Sequence, residues 1–186
     1  MADFIRSPTR LMLTDELRKC DLSFQDGTDQ FAVTHVVSPT GEDIHRVLII
    51  GAVTEKEDIG SDTEYWRLRI VDPTGSILAY AGQYQPEASL QAAQLDVPQY
   101  VAVSGKLRLY TTEDSTVITS ISAEKIIPVT RLEKDQYLYF AARNLLVRLI
   151  EPDVNKESVK MANEHYEVDK TAYFKMAKDT LESLKK

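Results

Sequence analysis

Four basic side chains stand two apart on two short runs: Arg67 and Arg69 within 65–71, Lys106 and Arg108 within 100–110. Successive side chains of an extended strand alternate between faces, so each pair projects to one side. Tyr65 and Tyr110 join those sides by the same parity. Cations along a groove neutralise phosphates, and aromatic faces among them stack unpaired bases at about 1–3 kcal/mol each, with little sequence preference. Tyr80 and Tyr84 fall between the two runs, so Arg67, Arg69, Tyr80, Tyr84, Lys106, Arg108 and Tyr110 form a candidate single-strand-binding set. The same pattern also fits tyrosines that pack a rim and arginines that only solvate a sheet face. Trp66 alternates with Leu68 and Ile70 and belongs on the opposite, core-facing side.

Other chemistry finds little support. His35, His45 and His165 have no spacing to one another or to carboxylates that suggests a metal site, and no nucleophile-elbow or phosphate-loop pattern occurs. Cys20, the single cysteine, excludes an intramolecular disulfide and a multi-cysteine metal site, and reads as an inert structural thiol. The expectation is a protein that is no enzyme and carries no cofactor or metal. No apolar run approaches the roughly 18 residues of a membrane span, and residues 1–10 lack the layout of a secretion signal, so a cytoplasmic protein with no membrane contact is expected.

The elements that must position the candidate set can be read from pattern. A chain of 186 residues, 43% hydrophobic and 27% charged, can bury one sizeable core. Its net charge of −7 is uneven: the first 64 residues hold thirteen acids against six bases, whereas 65–110 holds four bases against three acids. A contact with nucleic acid therefore needs a local basic face, and 65–110 supplies the candidate. Residues 1–30 form an acidic N-terminal segment in which Leu11, Leu13 and Leu17 suggest a short helix after Ser7–Pro8, and 31–37 reads as extended.

From Arg46 onward, short β-rich runs alternate with turns. Strands are expected at 47–54, 65–71, 77–81, 100–110 and 116–122 running on toward Ile127, with Gly51 marking a bulge or bend and Asp72–Pro73–Thr74–Gly75 a hairpin turn. A helix over 86–95 falls between the third and fourth strands, with Pro86 in its first turn. Five strands with a helix in that place are the layout of the OB fold, an all-β Greek-key barrel, here spanning 31–129. Thr130 and Glu133 form a capping box that opens a long helix over 130–151. Its apolar residues Leu138, Ala142, Leu145, Leu146 and Leu149 make one broad face that must pack on something. Residues 152–186 are a charged appendage of one or two small helices.

Several blocks also resemble a known family. Pro39–Thr40–Gly41, Arg46–Val–Leu–Ile–Ile–Gly51, Tyr65–Trp–Arg–Leu–Arg69, Asp72–Pro–Thr–Gly75, Tyr80–Ala–Gly–Gln–Tyr–Gln–Pro–Glu–Ala88 and Val101–Ala–Val–Ser–Gly–Lys106 resemble the archaeal replication protein A-associated OB-fold family over about 31–150. More distantly, 100–128 is similar to the middle subunit of replication protein A. The resemblance implies a subunit of an archaeal-type replication protein A complex that binds single-stranded DNA in replication, recombination and repair. The alternative it leaves is a structural assembly subunit with little DNA affinity of its own. It implies base-stacking roles for Tyr110 and for Tyr84, with Tyr80 the competing assignment. It also implies other replication protein A subunits as partners, met through a three-helix bundle that uses the 130–151 helix as an oligomerisation helix, with Leu138, Ala142, Leu145, Leu146 and Leu149 as the candidate subunit interface. The last 35 or so residues are too short for the winged-helix module of the middle subunit, so the partner contacts of that module do not carry over.

Overall fold

The computed structural model describes residues 8–27 and 32–185. Residues 1–7 of the N-terminal segment, and 28–31 with the first residue of the expected extended piece, lie outside the described residues. The chain begins with β1 (Thr9–Leu11), α1 (Thr14–Arg18), β2 (Leu22–Asp26), β3 (Val33–Val37) and β4 (Asp43–Ile44). The barrel strands are β5 (Arg46–Asp58), β6 (Trp66–Asp72), β7 (Gly75–Ala81), β8 (Gln99–Thr111) and β9 (Val117–Pro128), with α2 (Pro86–Gln94) between β7 and β8. Three helices follow: α3 (Arg131–Ile150), α4 (Glu157–His165) and α5 (Lys170–Ser183).

Apolar residues at every second position make the barrel. Leu68 and Ile70 of β6, Val101, Val103 and Leu107 of β8, and Ile121 and Ala123 of β9 point inward and are buried, while their neighbours face out. The sheet runs β5–β6–β7–β9–β8, and β8 returns to pair with β5, which closes five strands into a barrel. Closure needs the long β5 to serve both neighbours, since Ala52 pairs with Val71 on one side and Tyr100 on the other. Gly51 stands beside that crossing, where a Cβ would lie 2.4 Å from the Val71 carbonyl oxygen. The β5 bulge itself lies three residues on, where the register slips between Val53 and Glu55. The buried Ala88 and Ala92 of α2 let that helix sit close against β9, β6 and β7.

The N-terminal segment is stitched onto the barrel. β1 pairs in parallel with the start of β5, and β2–β3–β4 form a separate small sheet. The expected N-terminal helix shrinks to the five residues of α1, because Leu11 is taken by β1. The hairpin turn after Asp72 forms as its sequence predicts: Asp72 Oδ1 accepts from Thr74 N at 2.7 Å and Gly75 N at 3.2 Å. The same carboxylate accepts from Thr14 N at 2.9 Å and Thr14 Oγ1 at 2.8 Å, placing a negative charge at the start of α1.

The capping box at Thr130 and Glu133 opens α3. Its Leu138, Ala142, Leu145 and Leu149 are buried and Leu146 is half-buried, in one core with Met12, Leu13 and Leu17 of the N-terminal segment and Tyr173 and Ala177 of α5. This corrects the expected subunit interface, because the apolar face read as free for a partner is covered by the chain's own barrel and α5. The sequence pattern of Tyr173, Met176, Ala177 and Leu181 is the face of α5 that does the covering. What α3 leaves exposed is another stripe: Leu132, Tyr139, Phe140, Val147 and Ile150. Among the described residues no helix is long and apolar enough to cross a membrane.

Candidate nucleic-acid interface

Strand pairing lines the outward side chains into rows across the barrel. One row reads Glu57, Arg67, Tyr80, Ser122, Lys106; the next reads Glu55, Arg69, Leu78, Ser120, Arg108. A third brings Tyr110 beside Ile118. Serines at 120 and 122 leave the middle of this surface low, and the larger side chains around them enclose a groove of about 540 Å³. Its walls are Tyr65, Tyr80, Tyr84, Tyr110, Ile118 and Arg108.

Loops set the tyrosines at the rim. Asp58 accepts hydrogen bonds from Gly60 N and Tyr65 N, both at 3.0 Å, which fixes the entry of Tyr65 after the β5–β6 loop. Those two bonds also hold the Asp58 carboxyl below its ordinary range. The Tyr65 ring lies over Tyr80, with centroids 5.7 Å apart and planes 19° from parallel. Tyr84 sits in the turn before α2, where Gln85 N donates to Gly82 O at 2.9 Å. Tyr110 is the last residue but one of β8, next to a tight turn in which Thr112 N donates to Thr116 O at 2.9 Å. Tyr84 is 85% exposed and Tyr110 65%, so neither ring is consumed by packing, contrary to the rim-packing reading. Trp66 takes the other side: it packs against the core beneath Lys56, whose Nζ stands 5.1 Å from the indole and donates to Ala93 O and Leu95 O at the end of α2.

The cations are divided. Arg108 lines the groove, and among the described residues neither it nor Lys106 makes an ion pair. Lys106 lies one step along β8, beside the Arg46–Glu124 pair, in which Arg46 donates twice at 2.8 and 2.9 Å. That pairing keeps the Glu124 carboxyl below its ordinary range. Arg67 and Arg69 do occupy the outward face next to Tyr80 and Leu78, but Arg67 is paired with Glu57, and Arg69 Nε stands 2.9 Å from Glu55 Oε2, off the N–H direction. Both arginines lie outside the lining of the groove.

Of the seven residues singled out from sequence, the structure thus gathers Tyr80, Tyr84, Arg108 and Tyr110 in one groove and leaves Arg67, Arg69 and Lys106 at its flanks. Tyr65, Leu78, Ile118 and the two serines were not in that set. The shared parity of Tyr65 with Arg67 and the alternate spacing of Ser120 and Ser122 carried the signal. The histidines take separate partners: His35 contacts Asp43 at 2.7 Å, His45 the Thr34 carbonyl at 3.1 Å and His165 Asp21 at 2.8 Å. The Cys20 thiol is buried, which pushes its ionisation well up.

No family model matches the sequence, nor does any curated protein. Among solved structures the chain is similar to one chain of a replication protein A heterotrimer bound to single-stranded DNA, at 17% identity and a TM-score of 0.53, covering 76% of this chain and 98% of that one. A chain of the yeast Stn1–Ten1 structure matches at 18% identity and a TM-score of 0.43, over 66% of this chain and 64% of that one. The second single-stranded DNA-binding protein of Mycobacterium smegmatis matches at 15% and 0.39, over 46% and 86%. The first likeness is one of fold, and together with the strand order found here it shows that the chain has the OB fold: a five-stranded closed barrel with added helices.

Proposed function

We propose that this protein is a non-catalytic subunit of an archaeal-type replication protein A complex and binds single-stranded DNA in replication, recombination and repair. The observation that carries the proposal is the groove: four tyrosines, two of them largely exposed, stand around a low serine floor, with Arg108 in the wall making no ion pair among the described residues. Exposed aromatic faces beside a cation are what unpaired bases and their phosphates require. The heterotrimer to which the fold is similar holds single-stranded DNA, which supports the same ligand here. Partner subunits would meet the outward stripe of α3, where Leu132, Tyr139 and Ile150 line up by the 3.6-residue period with Phe140 and Val147 beside them.

Replacing Tyr84 and Tyr110 together by alanine is the direct test. Two lost stacks at about 1–3 kcal/mol each should raise the Kd for a labelled oligonucleotide at least tenfold, with the thermal transition unchanged because both rings are exposed. An unchanged Kd would refute the stacking role. A second reading, an assembly subunit with little DNA affinity of its own, is favoured by the net charge of −7 and by the pairing of Arg67 and Arg69 with glutamates. Band shifts with the purified subunit separate the two: retention of an oligonucleotide by the subunit alone supports the first reading, and retention only within a complex supports the second.

A further inference from the structure

The pairing of Arg67 and Arg69 with glutamates depends on a specific device. Val53 opposes Ile70 across the β5–β6 ladder, and both are buried. Were the register to continue, Thr54 would oppose Arg69, and Glu55 and Glu57 would turn toward the barrel interior. One extra residue, Thr54, is left out of the ladder instead, so Glu55 opposes Arg69 and Glu57 opposes Arg67 on the outer face. A bulge re-aims side chains beyond it by switching their parity. Here it sets two carboxylates against the two arginines nearest the tyrosine wall, since Arg67 also pairs across to Tyr80 and Arg69 to Leu78. All four side chains are at least two-fifths exposed, so each pair is weakly held and open to competition from a phosphate.

We propose that Glu55 and Glu57 are positioning residues that limit the affinity of the groove. They occupy Arg67 and Arg69 in place of nucleic-acid phosphates, so the wild-type groove takes a single strand mainly by stacking, with Arg108, which makes no ion pair among the described residues, as the cation in its wall. The proposal rests on the reading of the groove as a single-strand site and names how that site is held in check.

Titrating a fluorescent oligothymidylate with the full chain at 50 and 200 mM salt tests it, using wild type and the Glu55→Gln/Glu57→Gln variant. Freeing two cations for phosphates steepens the salt dependence by about 1.4 in log–log slope, so the variant should lose about sevenfold more affinity than wild type between those salts. The same slope extended to 1 M makes the variant roughly tenfold tighter at 200 mM. Arg67→Ala/Arg69→Ala should change wild-type affinity less than about threefold but return the glutamine variant to the wild-type value, a coupling that general loosening of the fold would not produce. Wild-type binding with an unchanged slope in the glutamine variant overturns the role of the glutamates and leaves the groove's function standing. No binding by wild type or variant overturns the single-strand reading, and the proposal with it.

Discussion

Within the groove the position of the Tyr65 ring is set by its smallest neighbour. A Cβ on Gly82 would lie 2.6 Å from Tyr65 Cδ2, closer than packed carbons approach, so the Tyr65 ring lies over Tyr80 because residue 82 has no side chain. Gly82→Ala should push that ring off the stack and weaken oligonucleotide binding by up to the value of one stacked base, about 1–3 kcal/mol, while the melting temperature stays nearly constant because the ring displaced from buried Gly82 is itself exposed and can move outward. Tyr65→Ala should do the same, and the double variant no more than either, since both act on one ring. Equal oligonucleotide affinity in Gly82→Ala and wild type would show that the Tyr65–Tyr80 stack is not used. At this scale the sequence showed which face Arg67, Arg69, Arg108 and Tyr110 occupy, because strand parity is local. It did not show which arginines are neutralised: the linear charge map counts Glu55 and Glu57 with the acidic first 64 residues, and only the ladder brings them opposite the arginines.

Among the elements, α3 shows how an amphipathic pattern can be read correctly and assigned to the wrong neighbour. Its limits followed from the Thr130 cap and the apolar spacing, and it runs Arg131–Ile150. Its face through Leu138, Ala142 and Leu145 was assigned to a partner, because the helix covering it comes twenty residues later in a segment that reads as a charged appendage. The two faces make opposite predictions. Leu145→Asp places a charge in a fully buried site and should unfold the chain, seen as loss of the thermal transition. Tyr139→Glu with Val147→Glu alters side chains nearly half exposed and should leave that transition within a few degrees, yet abolish co-purification with partner subunits. Persistence of the complex in the second variant would locate assembly elsewhere than on α3.

The barrel and its flanking segments share one hydrophobic core, and the least expected member of the interior is a carboxylate. Glu16 of α1 is fully buried, and Arg148, in the last turn of α3, donates to its Oε2 at 2.7 Å. Thr40, in the turn between β3 and β4, donates to Oε1 at 2.5 Å and accepts from Arg148 Nε at 2.8 Å. Three distant parts of the chain therefore meet at the Glu16–Arg148 pair, which no local pattern in the sequence could announce; Arg148 also stands 3.6 Å from Glu42, which has Arg10 and Lys156 as further partners. Removing one partner strands the other charge without water, at about 3–5 kcal/mol, whereas replacing both by apolar groups of similar volume is often neutral or stabilising. Arg148→Met should accordingly lower the urea midpoint steeply, and Glu16→Leu/Arg148→Met should recover most of the loss. If the pair instead serves to fix the placement of the N-terminal segment on α3, the double variant will recover stability but show a broadened or split unfolding transition, because the segment and the helix will no longer unfold together. A single sharp transition in the double variant would mean that apolar packing by Met12, Leu13 and Leu17 already suffices to hold the segment in place.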